Sequence, residues 1–564
     1  MATQDNQLMP ALEPIGLDGF GWKHHRIGQT HIWFRGYIHG RSIDDILNAT
    51  TKVQKHDAAN WLDRLNGHFS IVVKRPDCAF AAVDPVRSYP LIWAADGNSV
   101  WVTHDGPAME QKLGLKAADL DLSMARVVSL AGFTIGNATL YPDVHNIGPG
   151  EYLWVDAEGT GQNRYHQWQP WKSKDQGLAK AKSALSELHS KLIDDLVASA
   201  AGRQILVPLS AGLDSRFIAS GLKAAGYKNV ICVAYGLAGN REALVSERIA
   251  ERLGFKWYFV PYTNSVLREV FLSDQYAQFK RYSDSLTSIH FPQDYYMVQE
   301  MKHKGLLEKD CIIVNGQSGD FITGNHIPPT LFASEGSPDE RLDNIFDALV
   351  QKHFKQWRSL MSPVRIGHIR DLLRQEILRI GGVSNEPHDD HGLYEYCEFQ
   401  DRQAKYVING QRTYEFFGYD WRLPLWDRAY LDFWAEAPIT AKKQQNLYKT
   451  VLLEDNWGGA WKDIPVNPIA IRPFWMPPLR SFLKLAHTPL GRERWHWFEK
   501  QYLEYWMAPT CLYAAWPYVE VMRDRRGFSG GIAWHIADYM ESKGLNWDAS
   551  VAASENVDAD LADE

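Results

Sequence analysis

Between residues 30 and 170, apolar and polar positions alternate with a period of two in short runs, at 31–34, 69–73, 79–83, 91–94, 100–103 and 152–155, broken by Gly, Asp and Pro. That pattern predicts an antiparallel sheet domain with few helices. At 178–200 the spacing becomes that of an amphipathic helix. Continuous apolar runs then follow at 205–209, 230–235, 258–260 and 312–315, separated by helical stretches such as 241–253. Buried strands alternating with helices predict a parallel, doubly wound sheet, whose ligand sits at the carboxyl ends of the strands. Residues 395–545 are expected to be mostly helical and rich in Trp, and 546–564 an acidic, disordered tail.

A chain of 564 residues is too long for one hydrophobic core. Its net charge of −8 gives no electrostatic reason to expect nucleic acid or an anionic membrane as partner. No stretch approaches the roughly 18 to 20 apolar residues of a membrane span, and the N-terminus lacks the layout of a signal peptide, so a cytoplasmic protein is expected. The five cysteines (Cys78, Cys232, Cys311, Cys397 and Cys511) are scattered singly, which suits buried, reduced thiols better than a metal or redox motif.

One run changes the picture. Val207-Pro208-Leu209-Ser210-Ala211-Gly212-Leu213-Asp214-Ser215-Arg216 is an apolar strand breaking into Ser-x-Gly-x-Asp-Ser, with a helix predicted at 217–225. Gly212 lets the backbone approach a phosphate, and the helix N-terminus faces that anion. The spacing differs from the Walker pattern, and an Asp in this place suits a Mg²⁺ ligand. A second loop, Asn315-Gly316-Gln317-Ser318-Gly319-Asp320, ends another predicted strand. Two carboxylates, Asp214 and Asp320, then meet across one cleft and can hold Mg²⁺ against a leaving pyrophosphate of ATP. Leu209, Tyr235 and Gly316, at strand ends, are candidates for adenine and ribose contacts, with Ser210, Gly212 and Ser215 cradling phosphate.

These two loops resemble the synthetase domain of asparagine synthetases and their relatives, β-lactam synthetase and the lasso-peptide cyclases. The segment from Arg412 to Asp427 is similar to that family's Asp-Arg...Glu-Ala-Arg-Val-Pro-Phe-Leu-Asp segment, with Arg412, Arg422, Pro424 and Asp427 in register. Lys449 stands at the place of the family's catalytic lysine. The phrases around Asn240, Gly316–Phe321 and Tyr414–Tyr419 look most like members from bacterial surface-polysaccharide clusters. The resemblance implies an adenine-nucleotide α-hydrolase-like domain that adenylates a carboxylate and passes it to ammonia or an amine, with ATP and Mg²⁺, and with Lys449, Asp214, Asp320 and Gln317 as catalytic residues. Its implied acceptor is a uronic acid or other acidic sugar. Asparagine synthesis and intramolecular amide closure are alternatives within enzymes, and a silent nucleotide-binding scaffold is one outside them. Gln317 replaces a glutamate of asparagine synthetases and a tyrosine of β-lactam synthetase, and glutamine cannot act as a general base. Arg216 and Arg412 are read equally as anion clamps or interdomain braces.

The N-terminal part resembles the same family's Ntn-hydrolase-like glutaminase in fold but not in chemistry. Phe34-Arg35-Gly36, Leu65-Asn66-Gly67 and Asp84-Pro85-Val86-Arg87 are similar to its turns, yet Arg35 replaces the oxyanion Asn. Position 2 is Ala, and no Cys precedes Cys78. An inactive domain is therefore expected, with ammonia or an amine coming from elsewhere, such as a separate glutaminase as partner. The implied division is 1–172, a degenerate glutamine amidotransferase-like domain; 173–465, the synthetase-like domain; 466–545, a helical extension; and 546–564, the tail. In the extension, Trp475, Trp495, Trp497, Trp506, Trp516 and Trp534 are expected mainly as core. His388-Asp389-Asp390-His391 is expected to be a surface loop rather than a metal site.

Overall fold

The computed structural model describes residues 10–174, 177–332, 335–382, 390–466, 471 and 473–545. The acidic tail lies outside them. The N-terminal part is built on two sheets. The larger has β2 (Lys23–Ile27), β3 (Thr30–Ile38), β4 (Gly67–Lys74), β5 (Ala79–Val83), β9 (Glu151–Asp156) and β10 (Gly159–Arg164), all paired antiparallel in the order 10-9-5-4-3-2. The smaller joins β1 (Ala11–Pro14), β6 (Ile92–Asp96), β7 (Ser99–Thr103) and β8 (His145–Asn146) in the order 1-7-6-8. Its β1–β7 pair is parallel, a departure from the purely antiparallel expectation. The apolar cluster between the sheets includes Val72, Ala81, Leu91, Val102 and Leu153.

After the 23-residue helix Leu178–Ala200 comes the predicted parallel sheet. It contains β11 (Ile205–Pro208), β12 (Val230–Gly236), β13 (Lys256–Pro261), β14 (Ile312–Val314) and β15 (Asp420–Arg422), in the order 13-12-11-14-15. All pairs are parallel, from Ile205 opposite both Val230 and Ile312 outward. Strand order reverses between β11 and β14, which makes their carboxyl ends the topological switch point. β15 closes one edge from more than 100 residues away in sequence, and at three residues it is too short for a periodic signal.

The remainder is mostly helical, as expected. One stretch, Glu398–Val407, is a π-helix, a form often found beside functional sites. The largest buried cluster runs from Val86 through the parallel sheet to Met540, so residues 86–144 of the N-terminal part and residues 505–540 pack on one shared core, while the N-terminal sheets hold two further clusters. All five cysteines are buried and free. Among the described residues, no helix is long and apolar enough to cross a membrane.

Two further expectations need correction. Trp495 and Trp534 are buried, but Trp475, Trp497 and Trp506 are 37–41 % exposed. Asp390 and His391 do not form a surface loop: both are buried, and Asp390 takes two hydrogen bonds from Arg341, at 2.9 and 2.6 Å. His388 and Asp389 lie outside the described residues.

Candidate active site at the switch point

The loop Leu209–Leu213 leaves β11 and enters the helix Asp214–Ala224. The Ser210 amide donates to Ser215 Oγ at 3.0 Å, and the Gly212 amide donates to Ser210 Oγ at 3.1 Å. These side-chain bonds curl the turn and leave it ending on a helix N-terminus, where unsatisfied amides suit a phosphate. Opposite lies the loop after β14. A Cβ on Gly316 would come within 2.6 Å of the Asp214 backbone, and one on Gly319 within 2.5 Å of Asp214 Cγ. Only glycine at both positions lets the loops approach this closely.

Through that contact the Asp320 amide donates to Asp214 Oδ2 at 3.0 Å. The other oxygen, Asp214 Oδ1, is buried without a hydrogen-bond partner. Burial, and then the charge of Asp320, push the Asp214 carboxyl up to about 8, against the pull of the nearby Tyr448 hydroxyl. Asp320 behaves oppositely: burial would raise its pKa, but the bond and charge of His326 hold it below the usual carboxylate range. His326 bridges two acids, with Nε2 3.2 Å from Asp320 Oδ2 and Nδ1 2.5 Å from Glu398 Oε1. Burial disfavours its charge, yet Glu398 and Asp320 outweigh burial and raise it to about 9. His326 is thus a cation at neutral pH.

Glu398 belongs to the π-helix, and this element braces the second loop at three points. Glu398 binds His326, Gln403 accepts from Ser318 Oγ at 2.6 Å, and the Val407 carbonyl accepts from Gln317 Nε2 at 2.9 Å. Gln317 also accepts from Gln411 Nε2 at 2.6 Å, so both ends of its amide are committed. Through these bonds Gln317 fixes the loop that carries Asp320.

Asp214, Asp320, Ser210, Gly212 and Lys449 line one cavity of about 630 Å³. Lys449 Nζ donates to the Gln444 carbonyl at 2.7 Å. The turn before its helix, Asn446–Asp455, holds Gln444 and Gln445 at φ 54° and 59°. Two successive left-handed non-glycine residues store about 1–3 kcal/mol each, strain typical of functional sites. Gln445 is anchored by its bond to Thr323 Oγ1 at 2.7 Å.

A second cavity, of about 640 Å³, shares Ser210 with the first. Leu209 and Tyr235 line it. Tyr235 is fixed by its hydroxyl donating to Asp294 at 2.5 Å and by stacking on Tyr262 at 5.1 Å. Gly316 lies against the Asp214 backbone at the approach of the loops. The remaining wall was not foreseen: Pro509 and Thr510, from the C-terminal extension, line the cavity, held by the Leu237 amide donating to the Pro509 carbonyl at 3.1 Å.

Neither arginine is an anion clamp. Arg216 is buried and donates to the carbonyls of Ala211, Ile464 and Pro465 at 2.8–3.0 Å. Arg412 bonds Glu415 at 2.7 Å and the Ser88 carbonyl at 2.8 Å, bracing the region of the parallel sheet against the N-terminal part. Arg35, in the altered oxyanion turn, is buried and paired with the same Glu415 at 2.5 Å. Sequence reasoning also missed His326, Glu398, Gln403 and Tyr448. Glu398 and Gln403 had one signal, a run of acidic and amide residues at 395–403, and nothing in the sequence marked His326 or Tyr448.

Fold and site together define an α/β protein with an anion-suited cleft, two facing carboxylates and a lysine at its topological switch point. Residues 191–454 match the family model for asparagine synthase. That segment is similar to the asparagine synthase domain, which supports an ATP-using C–N ligase. No curated protein matches the chain. Among solved structures, the allosteric regulatory enzyme of purine biosynthesis is 12% identical over 42% of this chain and 61% of that one, with a TM-score of 0.17. Glutamine phosphoribosylpyrophosphate amidotransferase from B. subtilis, complexed with ADP and GMP, is 11% identical over 52% and 63%, with a TM-score of 0.18. The chain spans about three fifths of the length of these two structures.

Proposed function

We propose that the chain is an ATP-dependent ligase that activates a carboxylate as an acyl-adenylate and joins it to ammonia or an amine, with an acidic sugar as the carboxylate class. The observation that supports this reading most is the placement of Asp214, Asp320 and Lys449 around one cavity that shares Ser210 with its neighbour. The nucleoside would occupy the Leu209–Tyr235–Thr510 cavity, and its phosphates would pass the Ser210–Ser215 turn toward Lys449. Attack of the carboxylate on the α-phosphorus releases pyrophosphate, whose growing charge meets the turn amides and Lys449. The amine then displaces AMP.

Asp214 and Asp320 fit a magnesium ion. Their facing carboxylates include one buried oxygen, Asp214 Oδ1, with no other partner. Magnesium takes one or two carboxylates together with substrate phosphates. The ion would supply charge neutralisation at the leaving group. Arg35 fills the oxyanion turn and is tied to Glu415, which supports a donor other than glutamine hydrolysed within this chain.

The test is pyrophosphate release with ATP, Mg²⁺ and ammonium against acidic sugars, nucleotide-linked acidic sugars and aspartate. Release with an acidic sugar supports the reading, and a response to aspartate alone overturns the acceptor class. Sustained turnover without added amine, with a cyclic amide as product, assigns intramolecular closure instead. Glutamate production from glutamine by the isolated chain would contradict the inactive N-terminal domain.

A further inference from the structure

Residues 473–500 form a helical hairpin with a core of its own. The helices Met476–His487 and Arg492–Phe498 close over Met476, Trp495 and Leu503, a cluster separate from the main one. Met476 and Leu483 supply the inward line of the first helix, and Arg480 lies over the Trp495 ring and pairs with Glu499. The outward line is equally apolar. Leu479, Phe482, Leu485 and Ala486 recur at spacings of three and four and share one face. Phe482 is 69% exposed, Leu485 73%, and Phe474, just before the helix, 80%.

Single exposed apolar residues are ordinary, but a contiguous line of large ones marks a contact surface. Exposure this high belongs to a protruding ridge rather than a groove that receives a peptide. The charges point to one occupant. In the described residues 473–500 the bases are Arg480, Lys484, Arg492, Arg494 and Lys500, and the acids are Glu493 and Glu499. With Arg480 paired to Glu499, the exposed Lys484, Arg492 and Arg494 outnumber Glu493, in a chain whose net charge is −8. An apolar ridge of Phe, Leu and Trp beside a local cationic excess is the composition of a helix lying in a bilayer interface.

We propose that this hairpin docks the protein on an anionic membrane surface. Phe474, Phe482 and Leu485 enter the boundary between headgroups and acyl chains, and Lys484, Arg492 and Arg494 meet the anionic headgroups. The helix is 12 residues long, so it lies on the bilayer and does not span it.

The test is co-sedimentation of the full chain with phosphatidylcholine vesicles, with and without about one third phosphatidylglycerol. The wild type should sediment with the anionic vesicles and much less with the neutral ones. Phe482→Ser with Leu485→Ser should weaken binding at least about tenfold. Lys484→Glu with Arg494→Glu should weaken binding to anionic vesicles specifically. All four side chains are exposed, so thermal melts should match the wild type and separate lost binding from lost folding. Equal sedimentation of wild type and variants would overturn the proposal. So would a concentration-dependent dimer that the apolar substitutions dissolve while no vesicle binding is seen.

Discussion

The backbone amide of Asp320 holds the side chain of Asp214: N to Oδ2 is 3.0 Å, across the point where strand order reverses. Asparagine at position 214 keeps an acceptor for that amide and removes the charge. Asp214→Asn should therefore fold while losing pyrophosphate release by about 100-fold or more, the scale of a lost electrostatic contact at a reacting group. Its stability should change with pH in a definite sense. The folded pKa of about 8 lies above the ordinary value of 3.8, so this group's stabilisation is complete below about 3.8 and is lost as pH rises through about 8. Asparagine does not titrate. Melting temperature at pH 9 should be higher in Asp214→Asn than in the wild type, with the gap closing at acid pH. Added Mg²⁺ should raise the melting temperature at pH 8 in the wild type alone.

His326 stands between Asp320 and Glu398 as a cation. Its folded pKa, about 9, lies above 6.5, so its contribution is complete below about 6.5 and is lost as pH rises through about 9. His326→Ala leaves the buried Glu398 with His353 and Gln403 but without its closest partner. A loss of up to about 3–5 kcal/mol at pH 6, shrinking toward pH 9, is expected in denaturant titrations. Equal losses at both pH values would contradict the ion-pair account.

Gly319→Ala tests the approach of the two loops. The added methyl would meet Asp214 Cγ and Leu425 Cδ1, each at 2.5 Å. Alanine suits the local helix, so any destabilisation comes from overpacking, about 1–3 kcal/mol. Activity should fall further than stability implies, because the displaced group is Asp214 itself. An unchanged turnover would show that the 3.0 Å contact is dispensable.

Thr510 lies on the wall of the proposed nucleoside cavity although it belongs to the C-terminal extension. Thr510→Trp should fill that space and raise the KM for ATP about tenfold or more while ammonium dependence stays unchanged, as expected of lost substrate binding. ATP affinity by calorimetry would check this. Equal ATP binding by variant and wild type would remove the extension from the site.

Local pattern carried the fold far. Strands 79–83 and 205–208 and the helix Leu178–Ala200 follow directly from periodicity, and the Ser210–Ser215 and Gly316–Asp320 loops announce themselves by composition. What local pattern cannot carry is partnership over long separations. β15 joins the sheet from residue 420, and Thr510 reaches the nucleoside cavity from about 300 residues past Leu209. Gln317 illustrates the converse: its type and place suggested chemistry, yet Gln411 and the Val407 carbonyl consume its amide. Arg216 likewise spends its donors on main-chain carbonyls. A residue's type says what it can do, and only its neighbours say what is left over for a ligand.

The largest buried cluster joins Val86 to Met540 without interruption. Such continuity makes most of the chain one cooperative unit, in which a lesion near either end lowers a common transition. Truncating the chain at residue 172 or 466 would cut through shared packing and expose apolar surface on both fragments. The hairpin around Met476 and Trp495, with a small core of its own, can fray while that main cluster stays packed.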